Sequence, residues 1–152
     1  MSKINWFYKK LDELSAREFH KILQFRISVF VVEQNCPYQE CDDKDLEAVH
    51  LFGQIQNGEI VACARILPPG VSYSEPSVGR VAVHADYRMS GIGNEVMRKT
   101  IDFIEEQYNE EAIRISAQQY LKQFYSDLGF EQVSEMYLED DIPHIEMLRR
   151  SN

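Results

Sequence analysis

The stretch with the most chemical content is Arg88-Met89-Ser90-Gly91-Ile92-Gly93, which lies between an apolar run and a segment with helical spacing. Glycines at the start of a helix let backbone amides approach an anion closely, and the helix N-terminus adds a favourable dipole. The pattern predicts a phosphate-bearing ligand here, although a tight turn with no ligand satisfies the same spacing. Local charge agrees with a ligand. Arg80, Arg88, Arg98 and Lys99 against Asp86 and Glu95 make this region net +2 in a chain of net −9. Two other phosphate motifs fail. A dinucleotide fingerprint needs a third small residue where Val96 stands, and a P-loop needs Gly-Lys-Ser/Thr where Gly93 is followed by Asn94-Glu95.

Cys36 and Cys41, with His50 behind them, do not make four clear ligands at zinc spacing, so no metal is expected. Cys36, before Pro37, reads as a reactive thiol lining a cleft or as a small buried hydrophobe. With Cys63 the cysteines number three, too few and too odd for a disulfide framework.

These residues need a scaffold, and 152 residues with 44% hydrophobic content suffice for one folded domain. The acidic balance, 16 Lys+Arg against 25 Asp+Glu, argues against nucleic-acid binding. No apolar run is long enough to span a membrane, and the opening Met1–Trp6 lacks the features of a signal peptide, so a cytoplasmic location is expected. Ile4–Tyr8 reads as an opening strand. Ser15 with Glu18 is a capping-box signature, and Phe19, Ile22, Leu23, Ile27 and Phe30 follow at helical spacing. Arg26 falls on that apolar face. Its guanidinium requires either a core carboxylate or a role in the site.

Cys36 to Glu47 is irregular and acidic. His50–Gln56 and Glu59–Leu67 form a hairpin joined at Asn57-Gly58, which predicts a two-residue turn. Val78–Val83 is a third strand. A helix from Gly91 onward buries Ile92, Val96, Thr100, Phe103 and Ile104. Ala112–Ala117 is a strand, Gln119–Leu128 a helix capped by Gly129, and Phe130–Val133 and Ile145–Leu148 close the fold. The order predicts an α+β fold: a mixed central sheet, antiparallel in its N-terminal half, with a parallel crossover in its second half.

Arg-x-x-Gly-x-Gly after Val81-Ala82-Val83 resembles the acetyl-coenzyme-A turn of the GNAT acetyltransferase superfamily. Phe124-Tyr125-Ser126-Asp127-Leu128-Gly129-Phe130 is similar to a second motif of that superfamily, at the right distance downstream. Val29-Phe30-Val31-Val32-Glu33-Gln34, Cys36-Pro37-Tyr38, Glu40 and Glu139-Asp140-Asp141-Ile142-Pro143-His144 resemble its ElaA-like branch. The resemblance implies one GNAT-type domain over residues 1–152, with a parallel, splayed strand pair admitting pantetheine. It implies acetyl-CoA held by backbone groups of Val81 and Val83 and by Arg88, Met89, Ser90, Gly91, Ile92, Gly93 and Asn94. Gln118 stands where relatives often carry Asn, and its longer amide can still reach the pantetheine. Tyr125 matches the position whose phenol can protonate the departing thiolate; the alternative is a tyrosine that merely packs. Arg26 to Phe30 also resembles a pattern of the amino-lactone signal synthases.

The implied reaction is direct acetyl transfer to a primary amine of a small molecule or a protein. The alternative is a non-catalytic acetyl-CoA sensor, which the absence of a carboxylate in Val78-Gly79-Arg80 favours. A protonated amine must lose a proton before attack. Glu33, Glu40, His50 and His144 are the candidates for taking it or for holding the acceptor. Glu33 follows an apolar run that predicts a cleft position and a raised pKa, and His144 follows Pro143 in a constrained segment. The acidic residues of Glu40–Glu47 and Glu131–Glu146 are expected to border the acceptor mouth and attract a cation, unless they form a solvated face. No nucleic-acid or membrane partner is expected, and a homodimer is compatible with the sequence.

Overall fold

A computed structural model of the chain describes residues 3–108 and 112–151; Met1 and Ser2, part of the opening segment read for a signal, lie outside the described residues. The elements are β1 (Asn5–Lys10), α1 (Ala16–Ile27), β2 (Val49–Gln54), β3 (Ile60–Leu67), β4 (Ser77–Val83), α2 (Ile92–Tyr108), β5 (Ala112–Gln118), α3 (Lys122–Ser126), β6 (Phe130–Gln132), β7 (Tyr137–Glu139) and β8 (Ile142–Arg150). Ser15 and Glu18 form the expected reciprocal cap. The Ser15 hydroxyl accepts from the Glu18 amide at 3.0 Å, and the Glu18 carboxylate accepts from the Ser15 amide at 2.8 Å. The buried face of α1 is Ile22, Phe25 and Arg26, whereas Ile27 is exposed. A π-helical turn, Ser28–Glu33, follows α1 directly and changes the winding, yet Phe30 still packs, half-buried, against the core that Ile22 and Phe25 join.

The Asn57-Gly58 hairpin is present with a loop one residue longer than expected. Ile55 N–H donates to Glu59 C=O at 3.0 Å, Gly58 takes φ +88°, and the Asn57 side chain accepts from the Glu59 amide. A three-residue loop with glycine in the left-handed region suits strands of this twist equally well.

Two antiparallel sheets result, β1-β2-β3-β4 and β5-β8-β6, with β7 paired to β8. β7 was not expected. It turns into β8 through Asp140-Asp141, both at positive φ, as a tight hairpin lacking the usual glycine. The expected parallel pairing is absent as a ladder among the described residues. Between β4 and β5 runs a backbone bond from the Arg114 amide to the Pro76 carbonyl, at 3.1 Å. Side-chain alternation on the first sheet separates two cores. Leu51, Ala62 and Ala64 pack with α2, and Phe52 and Cys63 pack with α1 on the other face.

Arg26 is 1% exposed and fully engaged. It donates to the Glu40 carboxylate at 2.8 Å, to both Asp45 oxygens at 2.7 and 3.1 Å, and to the Glu40 carbonyl at 3.2 Å. Arg65 adds bonds to Asp42 and Asp45, and Arg80 an ion pair to Glu40 at 2.7 Å. Burial alone pushes the Asp45 carboxyl up, but its bonds to Arg26 outweigh burial and hold it at about 2. Replacing Asp45 by Asn leaves two guanidiniums short of a counter-charge and is expected to cost about 3 kcal/mol at pH 7. The unfolded carboxyl titrates at about 3.9, so this contribution is complete above pH about 4 and vanishes as the pH falls toward 2. Urea unfolding of both proteins over that range should show the stability gap closing on acidification.

Candidate active site

Beyond the Arg114–Pro76 bond, β4 and β5 part to leave a cleft of about 250 Å³. Val78, Gly79, Arg80 and Val81 line it from one strand, and Ser116, Ala117 and Gln118 from the other. A bulge shapes the β4 wall. Cys63 pairs with Ala82 but Arg65 pairs with Gly79, so β4 carries one extra residue, and Arg80 takes φ +50°. Bulges re-aim backbone and side chain at a strand edge, and this one sits at the cleft.

At the end of β4 the chain turns into α2. Met89 and Gly91 take φ +64° and +86°, and the Ser90 hydroxyl donates to the Tyr87 carbonyl. The first helical bond runs from the Glu95 amide to the Gly91 carbonyl, so the amides of Ile92, Gly93 and Asn94 have no helical acceptor. A Cβ on Gly91 meets nothing within 4 Å, so the positive φ is what calls for glycine there. A Cβ on Gly93 makes only ordinary contact, 3.5 Å from the Phe124 ring. The turn leaves three amides open at a helix N-terminus, the geometry that binding an anion requires.

Arg88 is committed elsewhere. Its Nε donates to the Val83 carbonyl at 2.9 Å, and both terminal nitrogens donate to the Glu33 carboxylate at 2.6 and 2.9 Å. Glu33 is exposed and off the cleft wall, and its bonds to Arg88 hold its pKa down. The expected burial and raised pKa of Glu33 are therefore reversed; a carboxylate held this way takes a proton poorly. Glu40 is buried in the ion network, not at an acceptor mouth, and Asp42 and Asp45 are claimed there too. His50 is also off the cleft. Its Nε2 meets the Asp45 carbonyl at 3.1 Å, and burial pushes its pKa down.

Val81, Gln118, Tyr125 and His144 do line the cleft. Gln118 donates to the Gln34 side chain at 3.3 Å. Tyr125 is buried against Phe124 and Phe130, at ring separations of 5.0 and 5.8 Å, and burial pushes its phenol pKa up. His144 stands opposite Gln118 in the β5–β8 ladder and stacks on Tyr137. Its Nδ1 lies 2.7 Å from the Ile142 carbonyl, which can only accept, so Nδ1 carries the hydrogen and Nε2 is left toward Glu139, 3.5 Å away. Ser116, Tyr137 and Glu139 complete this wall, joined by Tyr137 O–Ser116 Oγ at 2.5 Å and Ser116 Oγ–Glu139 Oε1 at 3.2 Å. None of the three was singled out individually from the sequence. The alternation of β5, with Arg114, Ser116 and Gln118 on its half-buried face, was the readable signal for Ser116. Cys36 reaches the cleft as a buried thiol, and no cluster of three metal-ligating side chains forms among the described residues.

Residues 13–150 match the acetyltransferase (GNAT) domain. The chain belongs to the GNAT acetyltransferase family. It is 40% identical to protein ElaA of Escherichia coli over 148 residues, covering 96% of each chain. The crystal structure of Escherichia coli ElaA superposes with a TM-score of 0.90, at 39% identity over 97% of this chain and all of that one. A structure described as an acyl-CoA N-acyltransferase from Pseudomonas aeruginosa gives a TM-score of 0.91, at 38% identity over 97% and 99% of the two chains. The GNAT domain brings an acyl-CoA donor and an acceptor, and the open amides and unpaired strand edge fit such a donor. Gly91→Pro forces φ from +86° to about −65° and removes an amide. Calorimetry should show acyl-CoA binding lost in this variant; in Gly93→Ala, the melting temperature should stay near that of the parent.

Proposed function

We propose that the chain moves an acetyl group from acetyl-CoA directly to a primary amine. The observation that carries this reading is the convergence, in one cleft, of an unpaired β4 edge, the Tyr125 phenol and the open Nε2 of His144. When bound, the donor supplies an acetyl thioester as the electrophile. The amides from Met89 to Asn94 hold its diphosphate, and backbone groups of Val81 with the Gln118 amide hold the pantetheine arm. The Val83 carbonyl, off the cleft lining, is already engaged by Arg88. A backbone amide of β4 is the group this reading assigns to stabilising the developing oxyanion. Holding amine and thioester at attack distance contributes much of the acceleration.

Proton movement falls to two residues on different elements. His144 Nε2 takes the proton from the acceptor ammonium, a task that Glu33, Glu40 and His50 cannot perform from where they lie. The Tyr125 hydroxyl gives a proton to the departing thiolate. Burial keeps that phenol protonated and also raises the proton affinity of a thiolate formed in the same dry surroundings.

Titration of the protein with acetyl-CoA, CoA and NADH is expected to show binding of the first two alone. Absence of acetyl-CoA binding overturns the reading, and binding without amine-dependent turnover identifies a sensor. Tyr125→Phe should keep acetyl-CoA affinity within about twofold and lower turnover by about a hundredfold. An unchanged turnover removes Tyr125 from the chemistry.

A further inference from the structure

Nearly every carboxylate around the cleft is claimed by an arginine. Arg26, Arg65 and Arg80 take Glu40, Asp42 and Asp45, and Arg114 takes Glu75 and Glu146. Glu139 and Asp140 line the cleft without a lysine or arginine partner among the described residues. Lys44 is the lone lysine of the lining and sits between Asp43 and Asp45 in the acidic segment.

A second feature lies beside the unmatched carboxylates. The donor chain from Tyr137 through Ser116 ends on Glu139 Oε1, leaving Oε2 without a donor. Oε2 faces His144 Nε2 at 3.5 Å, and in the neutral ring this nitrogen is also an acceptor, because Nδ1–H is spent on the Ile142 carbonyl. The imidazole is more than nine-tenths buried, while the Glu139 side chain beside it keeps about half of its surface open to the cleft mouth. Two acceptors facing one another call for a donor between them, and an alkylammonium brings three N–H groups and the missing positive charge.

We propose that Glu139 and His144 Nε2, with Asp140 beside them, form the ammonium pocket of the acceptor site and admit amines that bear no carboxylate next to the amino group. This rests on the amine-acceptor reading above. A carboxylate on the same carbon lies within a few ångströms of two unneutralised carboxylates, a repulsion that selects against α-amino acids.

The test uses 1,5-diaminopentane and lysine, which differ only by a carboxylate, titrated calorimetrically into the protein saturated with CoA. Failure to bind CoA sinks the donor reading and is seen before either amine is added. With CoA bound, the diamine is expected to bind at least about tenfold more tightly than lysine. Glu139→Gln, which preserves the Ser116 bond, should weaken the diamine about tenfold and bring the two ligands close to parity, while Glu139→Asp keeps their order. Asp140→Asn should weaken the diamine by a smaller factor, and asparagine's tolerance of φ +51° keeps this variant folded. Lysine binding as tightly as the diamine, no diamine binding, or an unchanged ratio in Glu139→Gln overturns the proposal.

Discussion

The structure depends most heavily on the need to neutralise Arg26. A guanidinium on the buried face of α1 is tolerable only if carboxylates follow it inside, and those carboxylates come from an irregular segment whose regular structure is one short 3-10 turn, Asp43–Leu46. Glu40 and Asp45 therefore anchor residues 36–47 against α1, and Arg65 and Arg80 tie the same segment to β3 and β4. Cys36 and Tyr38 then line the cleft at the near end of the segment, with Arg80 over the Tyr38 ring at 5.3 Å. The ion network holds little that reacts, yet it decides where one wall of the cleft stands.

Separating two strands inside a protein leaves backbone groups unpaired, and such an edge must be prevented from closing on itself or on another chain. Arg114 acts at the end where the strands still touch. Its amide bonds Pro76, while its guanidinium grips Glu75 ahead of β4 and Glu146 on β8. The sheets are thus held together below the cleft. Above it, the β4 bulge at Arg80 breaks the register that a continuous ladder requires.

Local rules made much of this legible. The Ser15–Glu18 cap, the α2 stripe and the positive φ of Gly91 each depend on neighbours a few residues away and stand where the spacing predicts. The helix expected over Gln119–Leu128, by contrast, is a 3-10 turn followed by the shorter α3, which ends three residues before Gly129. Arg26 announced the need for a partner, because a charge on an apolar stripe has few alternatives. What the sequence could not convey was pairing at a distance. Glu33, Glu40 and His50 look as reactive as His144 when read along the chain. Arg88, Arg26 and the Asp45 carbonyl, respectively, take them out of play. Strand β7 is only three residues long and its turn is Asp-Asp instead of Asn-Gly, so neither length nor turn chemistry marked it.

Tyr125 comes from α3 and His144 from β8, with Gln118 of β5 opposite His144 in the ladder. A phenol buried among aromatic rings and an imidazole beside a carboxylate without an arginine partner sit in opposite electrostatic surroundings. One strand with alternating sides can keep two such environments apart over a few ångströms. Buried Ile115 and Ala117 face the α2 core, and Ser116 and Gln118 face the polar wall. Among the described residues, Glu139 and Asp140 line the cleft unclaimed by any arginine, and in a chain of net −9 that distinction carries more meaning than acidity itself.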